Sequence, residues 1–140
     1  YWELALDLLN ECKRWTTADN ISYSAAISSC QKCGRWQPAL VLLRTMCDER
    51  IWPDTTSYGA AISACAKGRC WELALDLLNE CKRWTTPNAV SYNSAISSCE
   101  KCGQWQQALA LLSTMCEERI WPNTTSYNAA ISSCEKKKCW

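Results

Sequence analysis

Apolar residues recur at intervals of three and four along nearly the whole chain. Between Ser22 and Cys30, Tyr23, Ala26, Ile27 and Cys30 follow the i, i+3, i+4, i+7 pattern that sets residues on one face of a helix. A second stretch, from Trp36 to about Asp48, carries the stripe Trp36, Ala39, Leu40, Leu43 and Met46. Gly34 lies between the two, and Gly103 later, where a tight turn needs a permissive residue. Pro53 and Pro122 follow the second helix and stop it. Thr55 or Ser57 then stands where it can cap the next helix. No stretch of useful length alternates with period two, so no strand is predicted.

The helix pairs repeat. Trp2, Trp36, Trp71, Trp105 and Trp140 are 34 or 35 residues apart, as are Tyr23, Tyr58, Tyr92 and Tyr127. Pro53, Pro87 and Pro122 keep the same beat, with Ala18 one unit earlier. Residues 2–70 align without gaps to the nearly identical 71–139, so units come as near-duplicate pairs. About eight helices follow: a lone second helix (about 2–14), three complete two-helix units (20–54, 55–88 and 89–123) and a lone first helix (about 124–137). The half repeats are 1–19 and 124–140. One pair cannot bury its stripe alone, but stacked pairs can. The expectation is therefore all-α: one helical-repeat domain, 1–140, forming a right-handed α-solenoid of stacked antiparallel helix pairs. Trp2, Leu6 and Ile131 should lie partly exposed at its ends, where head-to-tail self-association would complete a unit. The opening Tyr1-Trp2-Glu3-Leu4 reads as the middle of an element, without a basic-then-apolar leader, as in a fragment of something longer.

Composition narrows the chemistry. The chain has 140 residues with 12 Cys, 9 Trp and no His, which excludes Ser-His-Asp triads, His-ligated zinc and His proton shuttles. No carboxylate pair, phosphate-binding Gly loop or nucleophile–base set emerges, so neither catalysis nor a cofactor is expected. The net charge of +1 gives no global field toward nucleic acid or membrane. No apolar run approaches the roughly 20 residues of a membrane span. Cys30-x-x-Cys33 and Cys99-x-x-Cys102 look like zinc half-sites, but two units, about 20 Å of stack, separate them. No metal is expected. Cys30, Cys65, Cys99 and Cys134 share one apolar face, where a reduced Cys is a small buried residue. Cys70 and Cys139, near the turn before a second helix, are the expected exposed thiols. Trp36, Trp71 and Trp105 should be core. Trp52 and Trp121, just before Pro, either face a protein partner or pack on the neighbouring unit.

A 35-residue helix pair fits two families. The tetratricopeptide pattern fails, because its places after Trp36 hold Ala39, Leu40 and Leu43. The unit with Tyr92-Asn93, Ile96, Lys101-Cys102-Gly103, Ala108, Leu111-Leu112, Met115 and Pro122-Asn123 resembles the pentatricopeptide repeat, and 20–54 matches as fully. Unit 55–88 departs from it. That unit is one residue shorter, with Gly59 after its Tyr, Cys81 in the Met place and Gly68 one place early.

The resemblance implies binding of single-stranded RNA in a mitochondrion or plastid, about one base per repeat. It implies reading pairs Ser24 with Asp54, Gly59 with Asn88, and Asn93 with Asn123, with Asp19 and Asn128 as unpaired halves. Family trends favour guanine for the first pair and a pyrimidine for the third. Ile21, Thr56, Val90 and Thr125 would pack on base faces. The competing reading of the Ser, Asn and Asp residues is helix capping. Lys32, Lys67, Lys101 and Lys136 recur at the ends of first helices, as phosphate contacts or as lysines favoured there by the helix dipole. Glu100 and Glu135 dilute that ladder. The rival to RNA is a scaffold that holds protein subunits of a larger organellar assembly, such as a ribosome or a photosynthetic or respiratory complex. Some pentatricopeptide proteins carry a deaminase domain, but its His-x-Glu zinc motif is impossible within these 140 residues, which hold no His.

Overall fold

The computed structural model describes residues 2–15 and 19–137, apart from the side chains of residues 2, 15, 136 and 137. The exposure of Trp2, the thiol of Cys139 and the side chain of Lys136 therefore lie outside the described residues. Eight helices and no strand are present among the described residues: α1 (Trp2–Trp15), α2 (Asn20–Lys32), α3 (Trp36–Asp48), α4 (Thr55–Lys67), α5 (Trp71–Trp84), α6 (Ala89–Lys101), α7 (Trp105–Glu117) and α8 (Thr124–Lys137).

The inner helices α2, α4, α6 and α8 pack side by side in chain order. Each outer helix rests in the groove between two of them: α3 against α2 and α4, α5 against α4 and α6, α7 against α6 and α8. The backbones of the outer helices stay apart from one another. The layer whose helices touch is the tighter side of the curve, so the inner helices form the concave surface of a solenoid. One apolar cluster runs through the stack. It repeats Tyr23, Tyr58 and Tyr92, then Ile27, Ile62 and Ile96, from the inner layer, with Met46, Cys81 and Met115 from the outer one, all almost completely buried. Tyr127, the equivalent residue on α8, is 48% exposed because no outer helix follows it among the described residues. Ile131 is exposed and Leu6 half-buried, as their end positions suggested.

Three local expectations are corrected. The inner helices are not capped by Thr55 or Ser57. Asp54 caps α4, its Oδ1 accepting the Ser57 backbone N–H at 2.9 Å, and Asp19 and Asn88 cap α2 and α6 in the same way. A carboxylate or amide at that place, held extended, reaches the N–H three residues on, and a hydroxyl further into the helix does not. Trp36, Trp71 and Trp105 are half-buried rather than core, because each starts an outer helix at the edge of the stack. Leu42 lies in the buried set of α3 with Ala39, Leu43 and Met46, while Leu40 is only partly covered.

The central unit differs in two turns. At the inner-to-outer turn the left-handed residues are Gly34 (φ 67) and Gly103 (φ 70), but the central one is Arg69 (φ 59). Glycine has moved one place forward, to Gly68, because Trp36 lies across it: a Cβ there would stand 2.2 Å from Trp36 Cδ1. Gly68→Ala must displace that indole, and a loss of about 1–3 kcal/mol is expected. Thermal unfolding checks it, and an unchanged midpoint would show that Trp36 moves freely. At the outer-to-inner turn, α3 and α7 end with left-handed Arg50 and Arg119 (both φ 59). The shortened central unit instead ends α5 at extended Thr85, whose hydroxyl lies 2.8 Å from that of Thr55.

Candidate functional site

The N-terminal ends of the inner helices carry most of the expected contact residues. A cleft of about 330 Å³ between α2, α4 and α6 is lined by Thr56, Gly59, Asn88 and Val90, together with Ser28 and Ser63. Ile21 and Val90 project their aliphatic side chains into solvent, 77% and 61% exposed. Thr56 and Thr125 are exposed at the same register. β-branched residues in the first turn of each inner helix thus present apolar surface with no protein partner covering it, unlike the isolated exposed residues of an ordinary surface.

Two of the three pairs named from the sequence are joined through a residue the sequence did not single out for this role. Ser24 Oγ lies 2.7 Å from Ser57 Oγ, which donates to Asp54 Oδ1 at 3.1 Å. In the third pair, Ser126 Oγ donates to Asn93 Oδ1 and lies 3.2 Å from Asn123 Oδ1. Asn93 Nδ2 also donates directly to Asn123 Oδ1 at 3.4 Å. In the central pair, Ser91 Oγ donates to Asn88 Oδ1 at 3.2 Å, and the place of the other partner is empty because it is Gly59. Ser57, Ser91 and Ser126 are fully buried between adjacent inner helices. Their signal was the recurrence of Ser22, Ser57, Ser91 and Ser126 in register with the tyrosines. Asn128 is exposed on α8, and Asp19 caps α2 by accepting from Ser22. That bond from the Ser22 backbone holds the Asp19 carboxyl below its ordinary range.

Capping therefore engages only part of each side chain. Each cap uses one oxygen, Oδ1, for the helix end. Asp54 Oδ2 and Asn88 Nδ2 make no hydrogen bond among the described residues, and both residues are exposed. A bond from Ser22, Ser57, Ser91 or Ser126 to the first oxygen fixes the direction of the second atom. Lys32, Lys67 and Lys101 are exposed at the C-terminal ends of α2, α4 and α6, so parallel packing sets them along one edge of the inner layer. Lys67 starts beside the neighbouring turn, its Cβ near Gly34.

Family models for the PPR repeat match residues 21–51 and 56–84, and a PPR repeat family model matches 87–136. The chain belongs to the pentatricopeptide repeat family. Solved structures show the same fold. The PPR domain of Arabidopsis thaliana protein-only RNase P 1, in complex with tRNA, aligns at TM-score 0.86 with 17% identity, over 99% of this chain and 74% of that one. The maize pentatricopeptide repeat protein PPR10 aligns at TM-score 0.80 with 21% identity over 95% of this chain. A structure of PPR10 with an 18-nt psaJ RNA element aligns at TM-score 0.81, also with 21% identity, over 98% of this chain. This chain spans about a fifth of the length of PPR10 (19% and 20% in the two structures). No curated protein matches it.

The remaining residues of this repeat array divide by burial. Trp52 and Trp121 are 67% and 71% exposed, and Trp84, which the sequence did not mark, is as exposed as Trp52. Cys30, Cys65 and Cys99 are buried as expected, and Cys134 is only half-buried. Cys70 is half-buried rather than exposed, its thiol donating to the Gly68 carbonyl. Among the described residues the exposed thiols are Cys33 and Cys116. Among the described residues no three Cys, Asp or Glu side chains gather as metal ligands. Burial pushes Cys65 up to about 12 and Cys81 and Cys99 to about 11. These thiols stay protonated, and so unreactive, well above neutral pH. Iodoacetamide near pH 8 should therefore modify Cys33 and Cys116 first and leave Cys65, Cys81 and Cys99 until denaturant is added. Peptide mass mapping reads this, and early labelling of Cys65 would contradict the burial.

Proposed function

We propose that the chain binds single-stranded RNA along its inner layer, about one base per helix pair, as a non-catalytic segment of an organellar pentatricopeptide protein. The observation that carries this reading is the serine-linked register of a cap and a first-helix polar residue beside an exposed aliphatic one. Stacking on Ile21, Thr56, Val90 and Thr125 would hold each base, and the outward atom of the cap would meet its pairing edge. Ser24 with Asp54 would select guanine and Asn93 with Asn123 a pyrimidine. Lys32, Lys67, Lys101 and Lys136 would follow the phosphates. A mitochondrion or plastid is the compartment the family suggests. No helix among the described residues is long and apolar enough to cross a membrane.

Fluorescence anisotropy against short RNA oligomers tests the reading. Oligomers carrying guanine and a pyrimidine one nucleotide apart, in both polarities, should bind more tightly than oligoadenylate. No binding at low salt would refute the proposal. The central site supplies a gain-of-function check. A Cβ at Gly59 would meet Ser91 Oγ at 3.7 Å, ordinary contact. Gly59→Asn thus places an amide where Asn93 stands one unit on. One added hydrogen bond is worth about 0.5–1.5 kcal/mol, so affinity should rise about two- to tenfold with a preference for one base at that position. Weaker binding by the variant would argue against this register.

A further inference from the structure

The outer layer carries a gap at its centre. At one flanking interface, Lys13 Nζ lies 5.7 Å from the centroid of the Tyr23 ring and 2.8 Å from Glu49 Oε1. At the other, Lys82 Nζ lies 5.3 Å from the Tyr92 centroid and 3.2 Å from Glu118 Oε1. The two tyrosine hydroxyls donate to the same two glutamates. Each interface is thus closed by a lysine from one outer helix, laid over a tyrosine and neutralised by a carboxylate at the end of the next outer helix.

Between them, where α3 and α5 flank α4, both members of the ion pair are replaced. Counting from the tryptophan that starts each outer helix, the lysine place holds Cys47 and the glutamate place holds Trp84. A carboxylate is nonetheless present, because the Tyr58 hydroxyl donates to Glu80 at 3.3 Å. The space is a cavity of about 270 Å³ lined by Cys47, Trp52, Pro53, Tyr58, Glu80 and Trp84. Trp52 and Trp84 each keep about two-thirds of their surface in solvent. Glu80 forms no ion pair among the described residues. Two cations lie beside the cavity: Arg44 lines the adjoining groove with Glu80, and the Arg83 guanidinium lies over the Trp84 ring at 5.9 Å.

We propose that this cleft receives a lysine side chain from a basic segment of a protein partner. The ammonium would meet the Glu80 carboxylate, and the methylene stem would run along the indoles of Trp52 and Trp84. Aromatic faces attract a cation and also cover an apolar stem, which a lysine supplies together. The flanking interfaces identify the occupant, since each places a lysine of the chain itself on the same tyrosine-and-carboxylate setting. Glu80 repels phosphate, so nucleic acid is the wrong ligand here. The cleft opens on the outer layer, away from the inner surface assigned to RNA, and does not depend on that assignment.

The test uses the 140-residue chain and an N-acetylated, C-amidated Gly-Lys-Lys-Gly peptide, followed by indole N–H resonances. Saturable shifts of Trp52 and Trp84 are expected, with Trp121 unmoved. Acetylation of the peptide lysines, or Glu80→Gln, should weaken binding at least tenfold. Trp84→Ala should weaken it about two- to thirtyfold, the range of a cation–π contact. The double variant Cys47→Lys with Trp84→Glu rebuilds the flanking arrangement from the chain's own residues and should abolish binding. If that variant fails to fold by circular dichroism, Glu80→Gln, at an exposed site, decides alone. Equal binding of the acetylated peptide, undiminished binding by Glu80→Gln, or displacement of the peptide by a single-stranded RNA oligomer would overturn the proposal.

Discussion

Ile62→Ala is expected to lower the unfolding free energy by about 2–5 kcal/mol. Ile62 is completely buried at the middle of α4, the helix that packs against α2, α3, α5 and α6. Its removal leaves a cavity that four helices must share, and none can close it without leaving another neighbour. A domain of this size has only about 5–15 kcal/mol to lose. In a stack held by nearest-neighbour interfaces, damage at the central unit also uncouples the two halves. The urea transition, followed by circular dichroism, should move to lower concentration and broaden or split. Ile131→Ala is the control. Ile131 sits at the equivalent register of α8 but is 56% exposed, and its loss should cost under about 0.5 kcal/mol. Similar losses at the two positions would mean that the stack is not packed as described.

Replacing Lys32, Lys67 and Lys101 together by Ala should weaken RNA binding about a hundredfold near 0.1 M salt. Each phosphate neutralised on a single strand contributes about 0.7 to the slope of log affinity against log salt. Three lost contacts should therefore flatten that slope by about 2. Glu100, beside Lys101, is held by a hydrogen bond from Ser132 on the next inner helix and is left unchanged in the triple variant. The control is Lys13→Ala with Lys82→Ala, which removes two cations of the outer layer already paired with Glu49 and Glu118. That variant should bind RNA within about twofold of the parent. A salt slope unchanged by the triple variant, or changed equally by the control, would remove the inner-edge lysines from the interface.

Much of this fold is legible in the sequence, because each element is written several times. The limits of α3 follow from Trp36, the apolar stripe and Pro53, and the structure places the helix at Trp36–Asp48 as read. The cap of α4 was missed for a physical reason. Asp54-Thr55-Thr56-Ser57 offers four residues that can all cap a helix, and only the extended backbone at Asp54 decides which one does. The sequence also named Asn93 and Asn123 without showing that Ser126 lies between them. A contact between residues some thirty apart in the chain arises only when two inner helices lie in parallel register.

The division between the two sources of information follows from the range of the forces involved. Helix existence, the repeat length and the buried Tyr, Ile and Met positions depend on patterns within one turn or one unit, and a linear sequence carries such patterns. Stacking alone decided which layer is concave, which atom of each cap is left uncommitted, and why glycine moved to Gly68 to admit Trp36. It also decided that Lys13 and Lys82 close two outer interfaces while Cys47 and Trp84 leave the central one open. Each of these depends on side chains from different units meeting across an interface, where a few ångströms separate a contact from a gap.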